Sequence, residues 1–197
     1  MDIPLNANVF ASDGLYGLSR YVIVNPATDQ ITHFVMEEKG MSENQVLVPI
    51  SQIRSTTPDS IQLLCSKEEI SHFDPFVETE VFVSRLSREG YWSAWGYPMP
   101  DASIMSINHY KIPSGELAIR KGIRVQATDG PAGGVDEFIV DPKNGHISSL
   151  ILREGHLWRK KDVSLPASEL DHIDNKKVYV KLSKQQIEAL PVVTMPH

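Results

Sequence analysis

The chain is written twice. Val9-Phe10-Ala11-Ser12-Asp13-Gly14 with Gly17, then Val22-Ile23-Val24-Asn25-Pro26, Ile31, Phe34-Val35 and Val48-Pro49 form the first copy. Arg124-Val125-Gln126-Ala127-Thr128-Asp129-Gly130 with Gly133, then Phe138-Ile139-Val140-Asp141-Pro142, Ile147, Leu150-Ile151 and Leu165-Pro166 form the second. The offset is 116 at the Asp-Gly and Xaa-Pro pairs (129 − 13, 142 − 26) and 117 at the later prolines (166 − 49), so one residue was inserted in between. A repeated strand-rich unit fixes the architecture as two like-folded copies, each near the lower size limit at which one core folds unaided, so the copies are expected to pack on each other.

Each copy reads as a series of short strands punctuated by turns. Asp-Gly suits a tight turn, because glycine adopts positive φ without a Cβ clash. Asn25-Pro26 and Asp141-Pro142 carry the residues preferred at the first two positions of a type I turn. The Asp29/Gly145 position is then expected to be left-handed. The return strands Ile31–Glu38 and Ile147–Glu154 hold apolar residues on both faces, which predicts a curled sheet whose outer face also meets a neighbour. Ile53 and Leu170 are expected to plug the sheet ends. Ser66-Lys67-Glu68-Glu69 and Ser183-Lys184-Gln185-Gln186 each spell a capping box, with serine and a Glu or Gln three residues on satisfying the first amides of a helix. The fold class expected is all-β with short terminal helices: two small barrels in tandem, related by a pseudo-twofold. Their bounds are 1–77 and 117–197, with a linker over 78–116.

Composition adds exclusions. No apolar run approaches the roughly 20 residues of a membrane-spanning helix, and Met1-Asp2-Ile3-Pro4 lacks the features of a secretory leader. Cys65 is the lone cysteine, so no internal disulfide forms and a reducing, cytoplasmic setting is expected. The net charge of −6 is unevenly spread: residues 1–80 hold 4 Lys/Arg against 12 Asp/Glu, and residues 111–197 hold 13 against 11. An acidic chain disfavours bulk nucleic-acid binding, while the imbalance allows complementary packing of the halves or a polarised face for a partner.

The order of these motifs resembles the PRC-barrel family. That domain is shared by the cytoplasmic part of the photosynthetic reaction-centre H subunit and the C-terminal half of the ribosome maturation factor RimM. The likeness spans roughly 5–77 and 117–193. It implies a non-enzymatic scaffold or adaptor that binds a protein complex, with a photosynthetic reaction centre or another membrane-associated assembly as the leading partner. The alternative it implies is an RNA-processing or ribosome-assembly factor. No catalytic residues and no cofactor come with the family.

Two stretches stand out as surfaces for a partner. Tyr91, Trp92, Trp95 and Tyr97 crowd the middle of the linker, and exposed aromatics supply contact area at low entropic cost. They can either pack back across the two repeats or stand out as an arm for a partner chain or a second copy. Trp158, Arg159, Lys160 and Lys161 form a basic hairpin with an aromatic beside it, suited to phosphates, to an anionic membrane surface, to the acidic first repeat, or simply to solvent. The seven histidines show no i, i+4 pair and no metal-ligand spacing. Cys65 aligns with Leu182 and is expected to be a buried thiol. Gly130-Pro131-Ala132-Gly133-Gly134 lacks the Lys-Ser/Thr of a phosphate loop.

Overall fold

A computed structural model describes residues 1–85, 102–154, 161–174 and 176–193. In the first repeat the chain forms β1 (Asp2–Pro4), β2 (Asn8–Ala11), β3 (Gly14–Asn25), β4 (Gln30–Glu38), β5 (Met41–Pro49), a 3₁₀ turn (Ile50–Gln52), β6 (Ile53–Thr57), β7 (Ser60–Leu63) and helix α1 (Lys67–Ile70). Strands β8 (Val77–Arg85) and β9 (Ala102–Tyr110) follow. The second repeat repeats the list: β10 (Leu117–Arg120), β11 (Arg124–Ala127), β12 (Gly130–Val140), β13 (Ile147–Glu154), β14 (Lys161–Pro166), a 3₁₀ turn (Ala167–Glu169), β15 (Leu170–Ile173), β16 (Lys177–Val180) and α2 (Lys184–Glu188). The protein is all-β apart from these short helical turns.

Two sheets of seven strands carry the same topology, β5-β4-β3-β2-β7-β6 and β14-β13-β12-β11-β16-β15, each with one strand added from elsewhere. Strands β5 and β6 lie at opposite ends of the first path, yet only the turn Ile50–Gln52 separates Pro49 from Ile53. Three residues at a rise of about 2 Å cover only about 6 Å. The sheet therefore curls until its two edges nearly meet, and the same holds for the second. Ile53 and Leu170 follow these turns and are buried, as expected.

The added strands are exchanged. Strand β1 pairs with β12 of the second repeat (Asp2 with Ile139, Ile3 with Phe138, Pro4 with Glu137), and β10 pairs with β3 of the first (Ala118 with Ile23, Ile119 with Val22, Arg120 with Tyr21). Applying the 116-residue offset turns one set of pairs into the other, so each repeat lends its first strand to its twin. Ile3 and Ile119 are fully buried by this exchange, and full burial of such a side chain is worth about 1.5–3 kcal/mol. The Met1 amino group also donates to the Val140 carbonyl at 2.7 Å.

The pseudo-twofold passes between Gln30 and His146, which bridge as antiparallel partners although they are themselves equivalent positions. The Ile31 amide donates to the Gly145 carbonyl and the Ile147 amide to the Asp29 carbonyl, both at 2.9 Å. Asp29 (φ 50°) and Gly145 (φ 73°) are left-handed here, as the turn chemistry predicts. A Cβ at Gly145 would come within 2.5 Å of the Ile31 carbonyl oxygen. One apolar core runs through both repeats, including Phe34, Met36, Ile61, Phe138, Leu150 and Val178. Val35, Ile23 and Leu47 point to the other face of the first sheet and are buried too, matching the two-sided pattern of that strand.

Both predicted capping boxes form, Ser66 with Glu69 and Ser183 with Gln186. The Asp-Gly pairs have a second task. Asp13 Oδ1 accepts the Lys67 amide at 3.1 Å and Asp129 Oδ1 accepts the Lys184 amide at 2.9 Å, so each turn also satisfies an orphan donor of the helix. Gly17 fits a close approach: a Cβ there would stand 1.8 Å from the Glu37 carbonyl oxygen.

By its contacts the chain separates into two compact units, residues 1–76 with 112–197, and residues 77–111. The stretch expected as a linker thus contains an antiparallel ladder running from Val77 with Tyr110 to Arg85 with Ala102. Its sequence explains the ladder: Val77, Thr79, Val81 and Val83 place β-branched residues at a spacing of two.

Candidate functional site

Of the residues singled out from the sequence, Tyr91, Trp92, Trp95, Tyr97, Trp158, Arg159 and Lys160 lie outside the described residues. Lys161 opens β14, paired in register with Glu154. The ladder that flanks the aromatic segment in sequence is described. Ile107 and Tyr110 on β9 are 43% and 60% exposed. Thr79 Oγ1 donates to Asn108 Oδ1 at 2.8 Å, and Lys111 pairs with Glu78 at 3.1 Å. Among the described residues β8 and β9 pair only with each other.

A second cluster, which the sequence reading did not single out, arises from a pair of β-bulges. The register of β3 against β4 slips between Ser19 and Tyr21, and that of β12 against β13 slips between Val135 and Glu137. The extra residues are Arg20 and Asp136, which are equivalent under the repeat. A bulge re-aims its side chain, and both turn onto the adjacent strand. Arg20 donates to Glu37 through Nε at 3.0 Å and Nη2 at 2.7 Å, and Gln45 Nε2 donates to the same carboxylate at 3.1 Å. In the second repeat Arg153 Nη2 meets Asp136 at 2.8 Å and Arg153 Nε meets Asp162 at 3.2 Å. Arg20/Glu37/Gln45 has become Asp136/Arg153/Asp162: the matched positions again pair an arginine with acid, but the Arg–acid pair is reversed across the strands and the neutral Gln45 is replaced by a carboxylate.

The electrostatics differ accordingly. Hydrogen bonding to the Arg20 guanidinium holds the Glu37 carboxyl below the ordinary carboxylate range, and Glu37 raises Arg20 in turn. Asp136 is buried and takes a further ion pair from Lys121 at 3.0 Å. Glu137, beside it, is only 4% exposed, and its Oε2 has no hydrogen-bond partner among the described residues. Burial first, then the nearby carboxylates Asp136, Asp2 and Asp162, push the Glu137 carboxyl up to about 7, with Lys121 pulling the other way. Its twin in the first repeat is Tyr21, whose ring packs 5.3 Å from that of Phe76.

The Arg20 cluster borders an open cleft of about 270 Å³, walled by Asn6, Arg20, Tyr21, Glu37 and Gln45 from the first repeat and by Arg120 and Lys121 where the exchanged β10 ends. Asn6 sits at φ 63°, and its twin Gly122 at φ 79°. Arg20 Nη1 donates to Asn6 Oδ1 at 3.3 Å, which ties the wall together. A position-by-position comparison of the two repeats could have found this cluster, because charge reverses at matched sites inside otherwise matched strands.

Other candidate groups settle into structural surroundings. Cys65 is buried as expected, and burial pushes its thiol up, away from the reactive thiolate. His33 is half-buried beside Thr32, with Nδ1 to Oγ1 at 3.0 Å, and burial lowers its basicity. Among the described residues no three His, Cys, Asp or Glu side chains converge as metal ligands, and no helix is long and apolar enough to cross a membrane. Neither a protein-family model nor a curated protein matches the chain.

Proposed function

We propose that this chain is a non-enzymatic scaffold or adaptor of the PRC-barrel type, working in the cytoplasm and docking a protein complex through the hairpin β8–β9 and the aromatic segment between its strands. The observation that supports the reading most is the hairpin itself. A two-stranded ribbon is marginally stable alone in water, yet this one extends through nine register pairs with Ile107 and Tyr110 exposed and no third strand among the described residues. Open strand edges and exposed aromatic and aliphatic side chains are what a partner chain can cover. The segment the ribbon carries holds Tyr91, Trp92, Trp95 and Tyr97. The PRC-barrel resemblance favours a photosynthetic reaction centre or another membrane-associated assembly as the complex.

Co-purification from native lysate tests this. The wild-type chain is expected to retain a defined protein complex that a Trp92→Ala/Trp95→Ala/Tyr97→Ala variant loses while its unfolding midpoint stays unchanged. Equal retention by both chains would refute the docking surface. Steeply salt-dependent RNA capture that disappears in an Arg159→Ala/Lys160→Ala/Lys161→Ala variant would move the chain to the RNA-processing factors instead.

A further inference from the structure

We propose that the cleft bordered by Arg20, Arg120 and Lys121 is a binding site for a small oxyanion of the carboxylate or phosphate class. This goes beyond the docking role and does not depend on it, since the cleft and the hairpin share no residue.

The charge balance comes first. Three cations and one carboxylate line the cleft. The carboxylate, Glu37, is already met by two guanidinium donors of Arg20 and by the Gln45 amide, so it presents little free charge to a ligand. Lys121 is anchored to Asp136. Arg120 is exposed and forms no ion pair among the described residues. Arg20 and Lys121 are each paired with a carboxylate, so Arg120 is the cation of the cleft left without an ion pair among the described residues, and its guanidinium offers the planar fork that matches a carboxylate or phosphate.

Rigidity comes second. Arg20 is aimed by its bulge and clamped by Glu37 and Asn6, and the backbone of Arg120 is fixed by its register with Tyr21. The wall of the cleft is thus held before any ligand arrives, which lowers the ordering cost of binding. The volume of about 270 Å³ lies at the small end of ligand pockets, which suits an anion of few atoms rather than a nucleotide or a peptide.

The duplication supplies an internal control. At positions equivalent to Arg20, Glu37 and Gln45 the second repeat carries Asp136, Arg153 and Asp162, and in place of Arg120 and Lys121 it has Pro4 and Leu5. Every charged wall residue has changed sign or been lost, while the strands that hold them keep their register. Among the described residues the matching positions around the other exchanged strand therefore do not reproduce this set of cations.

The test is calorimetric titration of the full chain with sodium phosphate and with sodium succinate, each against sodium chloride at matched ionic strength. Saturable heat is expected with at least one of the two, and which one responds identifies the ligand class. Arg120→Ala should weaken that binding about tenfold, in line with loss of one charge-assisted pair, and Arg120→Lys should recover part of it. Arg124→Ala removes an equal charge from an exposed residue outside the cleft and should leave the affinity unchanged. Absence of saturable heat with both anions would overturn the proposal. So would equal losses in the Arg120→Ala and Arg124→Ala chains, or no loss in Arg120→Ala.

Discussion

Replacing Glu137 with glutamine keeps the side chain's shape and removes its proton equilibrium. In the folded chain this carboxyl is raised from the ordinary 4.5 to about 7, chiefly by burial and next by the neighbouring Asp136. A raised acid binds its proton more tightly when folded, so the proton stabilises the native state. That contribution is fully present below the unfolded value, near 4.5, and is lost as pH rises through about 7. At about 1.4 kcal/mol per pH unit the whole window comes to about 3 kcal/mol. The charged groups around it are Asp2 on β1, Asp136 on β12, Asp162 on β14 and Lys121 after β10. All four are retained in Glu137→Gln. Urea unfolding across the range should show the two chains nearly equal at the acid end. The variant should then gain steadily and be the more stable by up to about 3 kcal/mol above neutrality. A stability difference that stays constant with pH would refute the reasoning, because it would mean that Glu137 has the same proton affinity folded and unfolded.

Other outcomes follow from the same structure. Gly17→Ala should destabilise by more than 2 kcal/mol in denaturant titration, an order-of-magnitude figure for overpacking against rigid backbone, since its Cβ would collide with the Glu37 carbonyl 1.8 Å away. Asp13→Ala and Asp129→Ala should each cost about 1 kcal/mol by the same measurement, from the orphaned helix amide, and the two losses should add. Ile3→Ala should cost about 2–4 kcal/mol. Hydrogen exchange should show that protection drops first in β12 and β13, over 120 residues away in the chain, rather than in β2 and β3.

Short-range chemistry was readable from the residues. The left-handed Asp29 and Gly145 and the two capping boxes depend on neighbours within a few positions and appear as the local rules require, and the two-sided burial of Phe34-Val35 matches the apolar pattern of its strand. The exchange of β1 and β10 was not readable. These strands are three and four residues long, too short for a period, and nothing in Asp2-Ile3-Pro4 states which repeat will receive it. Bulges were hidden for a related reason: Arg20 and Asp136 break the register by one residue, which a pattern of alternation absorbs as noise. The ladder of β8 and β9 was present as alternation but was overshadowed by the Trp and Pro residues between its strands. The aromatic and basic stretches chosen as partner surfaces fall almost wholly outside the described residues, whereas the cleft draws on Asn6, Arg20, Glu37 and Arg120, residues ordinary by type and distinctive only by position.

The crossing of first strands has a bearing on inheritance. A gene segment covering either half alone would encode a sheet missing its added strand and a first strand with no acceptor in the same chain, so such a half would be completed only by exchange with a second copy of itself. Joining both halves in one chain makes that exchange intramolecular, and its completeness no longer depends on protein concentration.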